Sequence, residues 1–178
     1  MMDVTNVTDR AAHEPHSGED VRVERLNVDR TGRPSGTRFG ALVHAVLAGV
    51  RLDADEEETR RVVDAHARQF GASGTEKDAA VRAVVGALAH PIVRGAGTST
   101  AVRREAPIQY VDDEGGVIEG YVDLAYLKEE GDQWVVVDFK TDAVVGDRQP
   151  VYASQVSLYC RGIEKATGSR SEGILLVV

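Results

Sequence analysis

Two strand-like runs joined by a short polar turn constrain this chain more than any other feature. The first reads Glu119-Gly120-Tyr121-Val122-Asp123-Leu124, and the second reads Trp134-Val135-Val136-Val137-Asp138-Phe139-Lys140-Thr141-Asp142, with the turn between Lys128 and Asp132. β-Branched and aromatic residues fill both runs, and a polar, Gly-containing separator is what a β-hairpin requires. On the second run, period-2 alternation sets Val135, Val137 and Phe139 on one face and Val136, Asp138 and Lys140 on the other. A carboxylate and an ammonium therefore leave the same face of an otherwise apolar strand. Burying such groups is costly unless they pair with each other or hold an ion. The residues alone leave both outcomes open: a structural Asp138–Lys140 pair at a strand end, or a site.

The elements around the hairpin suit a sheet covered by helices. Residues 1–36 are polar, show little periodicity and read as a flexible lead-in, apart from an alternation over Val21 to Val28 that suits a short strand. Residues 37–178 read as the folded domain. Helical periodicity over Thr37 to Val50 gathers Phe39, Leu42, Val43, Val46, Leu47 and Val50 into one apolar stripe, with His44 at its edge beside Gly40. Further helices are expected over 55–70, behind an acidic first turn, and over 75–90, ended by Pro91. A loop over 95–100 precedes strands at 101–111, 117–128 and 133–140, then a helix over 152–166 and a closing strand at 173–178. That order describes an α/β fold with a mixed central sheet flanked by helices.

Composition excludes several classes of function. The chain has 178 residues, 42% of them hydrophobic, enough for one domain with a core of its own. No apolar run approaches the ~20 residues of a spanning helix, and the N-terminus has no signal-peptide core, so a soluble, cytoplasmic protein with no membrane partner is expected. The single Cys160 permits no internal disulfide and no four-cysteine iron–sulfur cluster. A phosphate loop of the G-x-x-x-x-G-K-[ST] type is missing, so the sequence carries no ATP motor. The net charge of −8 argues against a wide basic footprint on nucleic acid, since phosphate neutralisation supplies most non-specific affinity.

Gly120-Tyr121-Val122-Asp123, followed by Asp138-Phe139-Lys140-Thr141-Asp142, resembles the signature of the PD-(D/E)XK nuclease superfamily. The match is to the form found in the C-terminal nuclease domains of RecB and AddA helicase–nucleases, the exonuclease V type. Three more stretches fit that form in the same order: Arg38-Phe39-Gly40-Ala41-Leu42-Val43-His44-Ala45-Val46-Leu47, Arg104-Glu105-Ala106-Pro107, and Tyr152-Ala153-Ser154-Gln155-Val156-Ser157-Leu158-Tyr159. Each alone is a weak signal. Together they cover the chain from about Phe39 to Val178.

The resemblance implies a restriction-endonuclease-like core and a Mg²⁺- or Mn²⁺-dependent deoxyribonuclease of DNA repair and recombination. Phosphodiester hydrolysis needs an activated water and a neutralised phosphate, which a hard cation on oxygen ligands supplies. By resemblance, Asp123, Asp138 and Lys140 are catalytic. Metal ligands are His44, Asp123, Asp138 and the backbone carbonyl of Phe139, and Lys140 serves as an electrostatic partner beside the metal. Gln155 and Tyr159, at i and i+4 on one helix face, are expected to contact substrate. Glu105 stands as a supporting or second-metal ligand, or as only the polar end of a strand. DNA, with single-stranded ends as the favoured form, and a helicase subunit or fused helicase domain are the implied partners. The alternatives are a nuclease-fold module that binds DNA or protein with little cleavage, and a restriction-type or RNA-directed nuclease.

Overall fold

The computed structural model describes residues 4–13, 21–27, 33–129, 132–141 and 147–178. Asp142, the last residue of the hairpin's second run, lies outside them. By their contacts the described residues fall into two compact units, one drawn from Met1–Glu24, Ser99–Asp138 and Val144–Leu175, the other from Arg25–Thr98, Phe139–Ala143 and Leu176–Val178.

The first unit is built on the sheet. Its strands run β1 (Val4–Asn6), β2 (Val21–Arg25), β3 (Val102–Val111), β4 (Val117–Leu127), β5 (Gln133–Lys140) and β6 (Arg170–Val177), with helices α1 (Val7–His13) and α6 (Gln149–Thr167). Strand order is β1-β4-β5-β6-β2, with β3 also on β4. The sheet is mixed: β1 is parallel to β4, whereas β3 and β5 are antiparallel to it. The turn between β3 and β4 is set by Asp112, whose carboxylate accepts from the backbone N–H of Glu114 at 3.0 Å and of Gly116 at 2.7 Å, an Asx turn. Pro150 opens α6 and Gly168, at φ 73°, ends it. One face of α6 buries Leu158, Tyr159 and Ile163 against Val7, Ala11, Tyr110, Ile118 and Val122. Each Val, Leu or Ile among them contributes about 1.5–3 kcal/mol by leaving water.

The second unit holds four helices: α2 (Thr37–Gly49), α3 (Glu56–Phe70), α4 (Gly74–Ala89) and α5 (Pro91–Thr98). The whole apolar stripe of α2, from Phe39 to Val50, is buried. α3 starts at Asp55, which accepts from the Glu58 N–H at 2.7 Å, and ends at Gly71 in the left-handed region. α4 begins with a capping box: Ser73 N–H donates to Glu76 at 2.8 Å, and Glu76 N–H donates to Ser73 Oγ at 3.3 Å.

The observed elements depart from the sequence expectations in two places. The stretch read as a lead-in contains β1 and α1 besides the short strand expected from the alternation after Val21, which is β2, and Val7 and Ala11 of α1 are fully buried. A helix of two turns has too few apolar positions to show periodicity, and its burial depends on the sheet and α6. The expected loop over 95–100 is largely α5, where Pro91 stands at the helix start and supplies a suitable φ instead of breaking the chain. Among the described residues no helix is long and apolar enough to cross a membrane.

Candidate active site

The two edges of β4 create the site. Along one edge β3 pairs from Val102↔Tyr126 to Val111↔Val117. Along the other, β1 covers Val117 to Glu119 and β5 covers Leu124 to Leu127. Gly120 to Asp123 therefore lies between the ends of two ladders. The β4–β5 register, carried one step beyond Leu124↔Val137, sets Asp123 opposite Asp138. The first and second hairpin acids thus stand one step past the end of the same ladder.

β3 brings a third carboxylate to the same level. Arg104 pairs with Leu124 and Ala106 with Val122, so the continuous register puts Glu105 across from Asp123. Carboxylate oxygens of the two approach within 4.8 Å. Glu105 holds φ at 46°, a left-handed conformation that a residue with a side chain rarely adopts inside a strand. Two like charges facing each other across an antiparallel pair are destabilising on their own. A strained backbone that presents one of them to the other is the pattern of a functional position.

Burial grades the three acids. Glu105 is exposed, Asp123 is half-buried, and Asp138 is 2% exposed within the five consecutive buried residues Val135–Phe139. Tyr159 reports their common neighbourhood. Burial first, and then the charges of Asp138, Asp123 and Glu105, hold its phenol well above the ordinary range, while the Gln155 amide opposes the shift by donating to the Tyr159 hydroxyl at 2.9 Å. The phenol stays protonated and keeps a donor beside the acids. Gln155 and Tyr159 are 8% and 4% exposed, so most of both side chains belongs to the interior. Gly120 makes that packing possible, because a Cβ there would meet Tyr159 Cε1 and Val7 Cγ2, both at 3.0 Å.

Phe139 and Lys140 continue β5 into the second unit. Phe139 is buried and Lys140 half-buried, and the Lys140 carbonyl accepts from the backbone N–H of Val178 at 2.9 Å, which fixes the strand end. His44 is half-buried on α2, four residues after Gly40 and so on the same helix face. A Cβ on Gly40 would lie 3.0 Å from Thr141 Oγ1, so this face of α2 meets the chain directly after Lys140. Arg38 of the same helix is engaged elsewhere, donating to Glu76 at 2.7 Å.

Every expected site residue lies among the described residues. The geometry gives Glu105 more weight than its sequence context did, because neither its register nor its φ is visible in the string Arg104-Glu105-Ala106-Pro107. The donor set of carboxylate oxygens suits a hard divalent cation. Two oxygens no more than 4.8 Å apart are separated by about twice the ~2.0–2.6 Å bond length of Mg²⁺ or Ca²⁺, so one ion fits between them.

Comparison with known proteins gives the family. Residues 21–176 match the PD-(D/E)XK nuclease superfamily. Over 58 residues, 30% of this chain, the sequence is 41% identical to an ATP-dependent helicase/nuclease subunit from Carboxydothermus hydrogenoformans. The matched part spans 5% of the length of that relative. With the family matched over most of its length, and three carboxylates gathered around the end of the β4–β5 ladder, the chain belongs to the PD-(D/E)XK nuclease superfamily.

Proposed function

We propose that this member is a divalent-metal-dependent deoxyribonuclease that hydrolyses phosphodiester bonds during DNA repair or recombination, working with a helicase subunit or a fused helicase domain. The observation that carries the reading is the cross-strand pair Glu105–Asp123 beside Asp138, with Lys140 two residues further along β5. Asp123 and Asp138 are the carboxylate ligands, His44 a nitrogen ligand and the Phe139 carbonyl a further oxygen. Glu105 supports the same ion or holds a second one. A bound Mg²⁺ or Mn²⁺ supplies phosphate neutralisation and an acidified water.

The chain's own residues do the rest. Lys140 is not a nucleophile in this reading. Its ammonium orients the attacking water and offsets the negative charge that grows on the phosphate oxygens as the water oxygen bonds to phosphorus and the leaving oxygen departs. Asp138, held in an apolar strand, has little freedom and so fixes the position of that charge. Gln155 and Tyr159 touch substrate only through their polar ends, while their bodies support the carboxylates from behind. The overall negative charge points to delivery of DNA by a neighbouring domain or partner, since 29 acidic residues outweigh the 21 Lys and Arg that would grip phosphates.

The test is cleavage of linear single-stranded, linear duplex and closed circular DNA, with and without Mg²⁺ or Mn²⁺. Divalent-dependent degradation of linear DNA is the expected result. Binding without cleavage would assign a binding module instead, and cleavage of RNA alone would assign an RNA-directed nuclease.

A further inference from the structure

β4 carries one large side chain that the core does not use. Tyr121 is 62% exposed, although it sits between the buried residues Gly120 and Val122. In the antiparallel register it stands opposite Pro107, and Glu119 stands opposite Gln109. These four residues and Asn6 of β1 line an open groove of about 410 Å³. Asp123 follows Tyr121 by two positions on the strand, about 7 Å along it.

The lining of the groove selects the chemistry of its occupant. Tyr121 and Pro107 present flat apolar surface, the Gln109 amide offers both donors and an acceptor, the Asn6 amide offers its NH₂ while its Oδ1 accepts from the Thr8 backbone N–H at 2.9 Å, and Glu119 offers an acceptor only. The groove lining has no cationic side chain among the described residues, and the Glu119 carboxylate disfavours a phosphate. A neutral, planar heteroaromatic ring with hydrogen-bonding edges fits these groups. Bases in a duplex are stacked on both sides and cannot offer a face, whereas an unpaired base can stack on an aromatic ring.

We propose that Tyr121 is the stacking platform of a base-binding subsite for an unpaired nucleotide of single-stranded DNA, next to the scissile phosphate at the cation site of Asp123. The assignment rests on the nuclease reading above and adds to it the source of a single-strand preference. Asn6, Gln109 and Glu119 contact the edge of the stacked base.

The experiment compares wild type with Tyr121→Ala and Tyr121→Phe. Anisotropy of a labelled single-stranded oligonucleotide in Ca²⁺ reads binding, and cleavage of single-stranded and hairpin DNA in Mn²⁺ reads kcat and KM. Loss of one base stack corresponds to about ten- to a hundredfold. Tyr121→Ala should therefore weaken single-stranded binding and raise the single-stranded KM by that factor, lowering the preference over hairpin DNA, while Tyr121→Phe, which retains a ring, restores both. Cleavage by wild type with Tyr121→Ala equal to it in binding and preference overturns the stacking proposal and leaves the nuclease reading intact. No cleavage by wild type, with binding still lost in Tyr121→Ala and restored in Tyr121→Phe, supports the platform and overturns the nuclease reading.

Discussion

Replacing Glu105 separates backbone strain from charge. Glu105→Ala and Glu105→Gly both remove the carboxylate that faces Asp123, but only glycine adopts φ 46° without a side-chain clash. A left-handed residue with a Cβ costs about 1–2 kcal/mol. Glycine loses about 0.5–1 kcal/mol more than alanine through the entropy of the unfolded chain. The net expectation is that Glu105→Gly is more stable than Glu105→Ala by about 0.5–1 kcal/mol, since Glu105 is exposed and contributes little burial. For a chain of this size that corresponds to roughly 1–4 °C in Tm. Urea unfolding of the two variants, compared at equal m-value, measures it. Calorimetric titration with Mn²⁺ should show both variants weakened alike, because both lack the same oxygen ligand. Glu105→Ala equal to or more stable than Glu105→Gly would refute the strain argument. Unchanged Mn²⁺ affinity would refute a ligand role for Glu105.

Three further outcomes follow from the packing and the charges. Gly120→Ala should cost about 1–3 kcal/mol, because its Cβ is forced against Tyr159 and Val7 at 3.0 Å, and a thermal melt unchanged from wild type would show that the two neighbours yield freely. Gln155→Ala should lower the unfolding free energy by about 1–2 kcal/mol, since it removes the buried 2.9 Å hydrogen bond to Tyr159; urea unfolding checks it, and no loss would mean that the pair carries no structural weight. The Ser73 backbone N–H first, and Arg38 second, hold the Glu76 carboxyl at about 2, down from 4.5, so its contribution is present above pH 4.5 and is lost as the pH falls toward 2. Wild type should lose stability across that window more steeply than Glu76→Gln in denaturant titrations, and parallel curves would remove the assignment.

The fold was legible wherever a local pattern carried it. The stripe of α2, the hairpin strands and the α6 helix each have a period that repeats over several turns or residues. α1 and β1 were not legible, because the two buried residues of α1, Val7 and Ala11, are covered by the sheet and by α6 and not by any pattern of their own, and β1 is three residues long with its one apolar residue, Val4, exposed. Pro91 misled for a related reason, since a proline ends one helix and opens another with the same fixed φ. In the candidate site, Asp123, Asp138 and Lys140 stand out because charges rarely interrupt β-branched runs. The meeting of Glu105 with Asp123 depends on the pairing of two strands, and the exposure of Tyr121 depends on the ladders that end on either side of it. Neither is written in local sequence.

The nuclease reading stands or falls on a division of labour in which Asp138 holds a divalent ion and Lys140 acts on the charge that develops during cleavage. Mn²⁺ titration by calorimetry, paired with cleavage of single-stranded DNA, tests it in Asp138→Asn and Lys140→Ala. Asp138→Asn should lose metal binding and cleavage together, while Lys140→Ala should bind Mn²⁺ as wild type does and cleave about 10²–10³-fold more slowly, the cost of one preorganised electrostatic contact. Equal loss of metal binding in the two variants, or full activity in Lys140→Ala, would contradict that division and leave Asp138 and Lys140 as a structural ion pair.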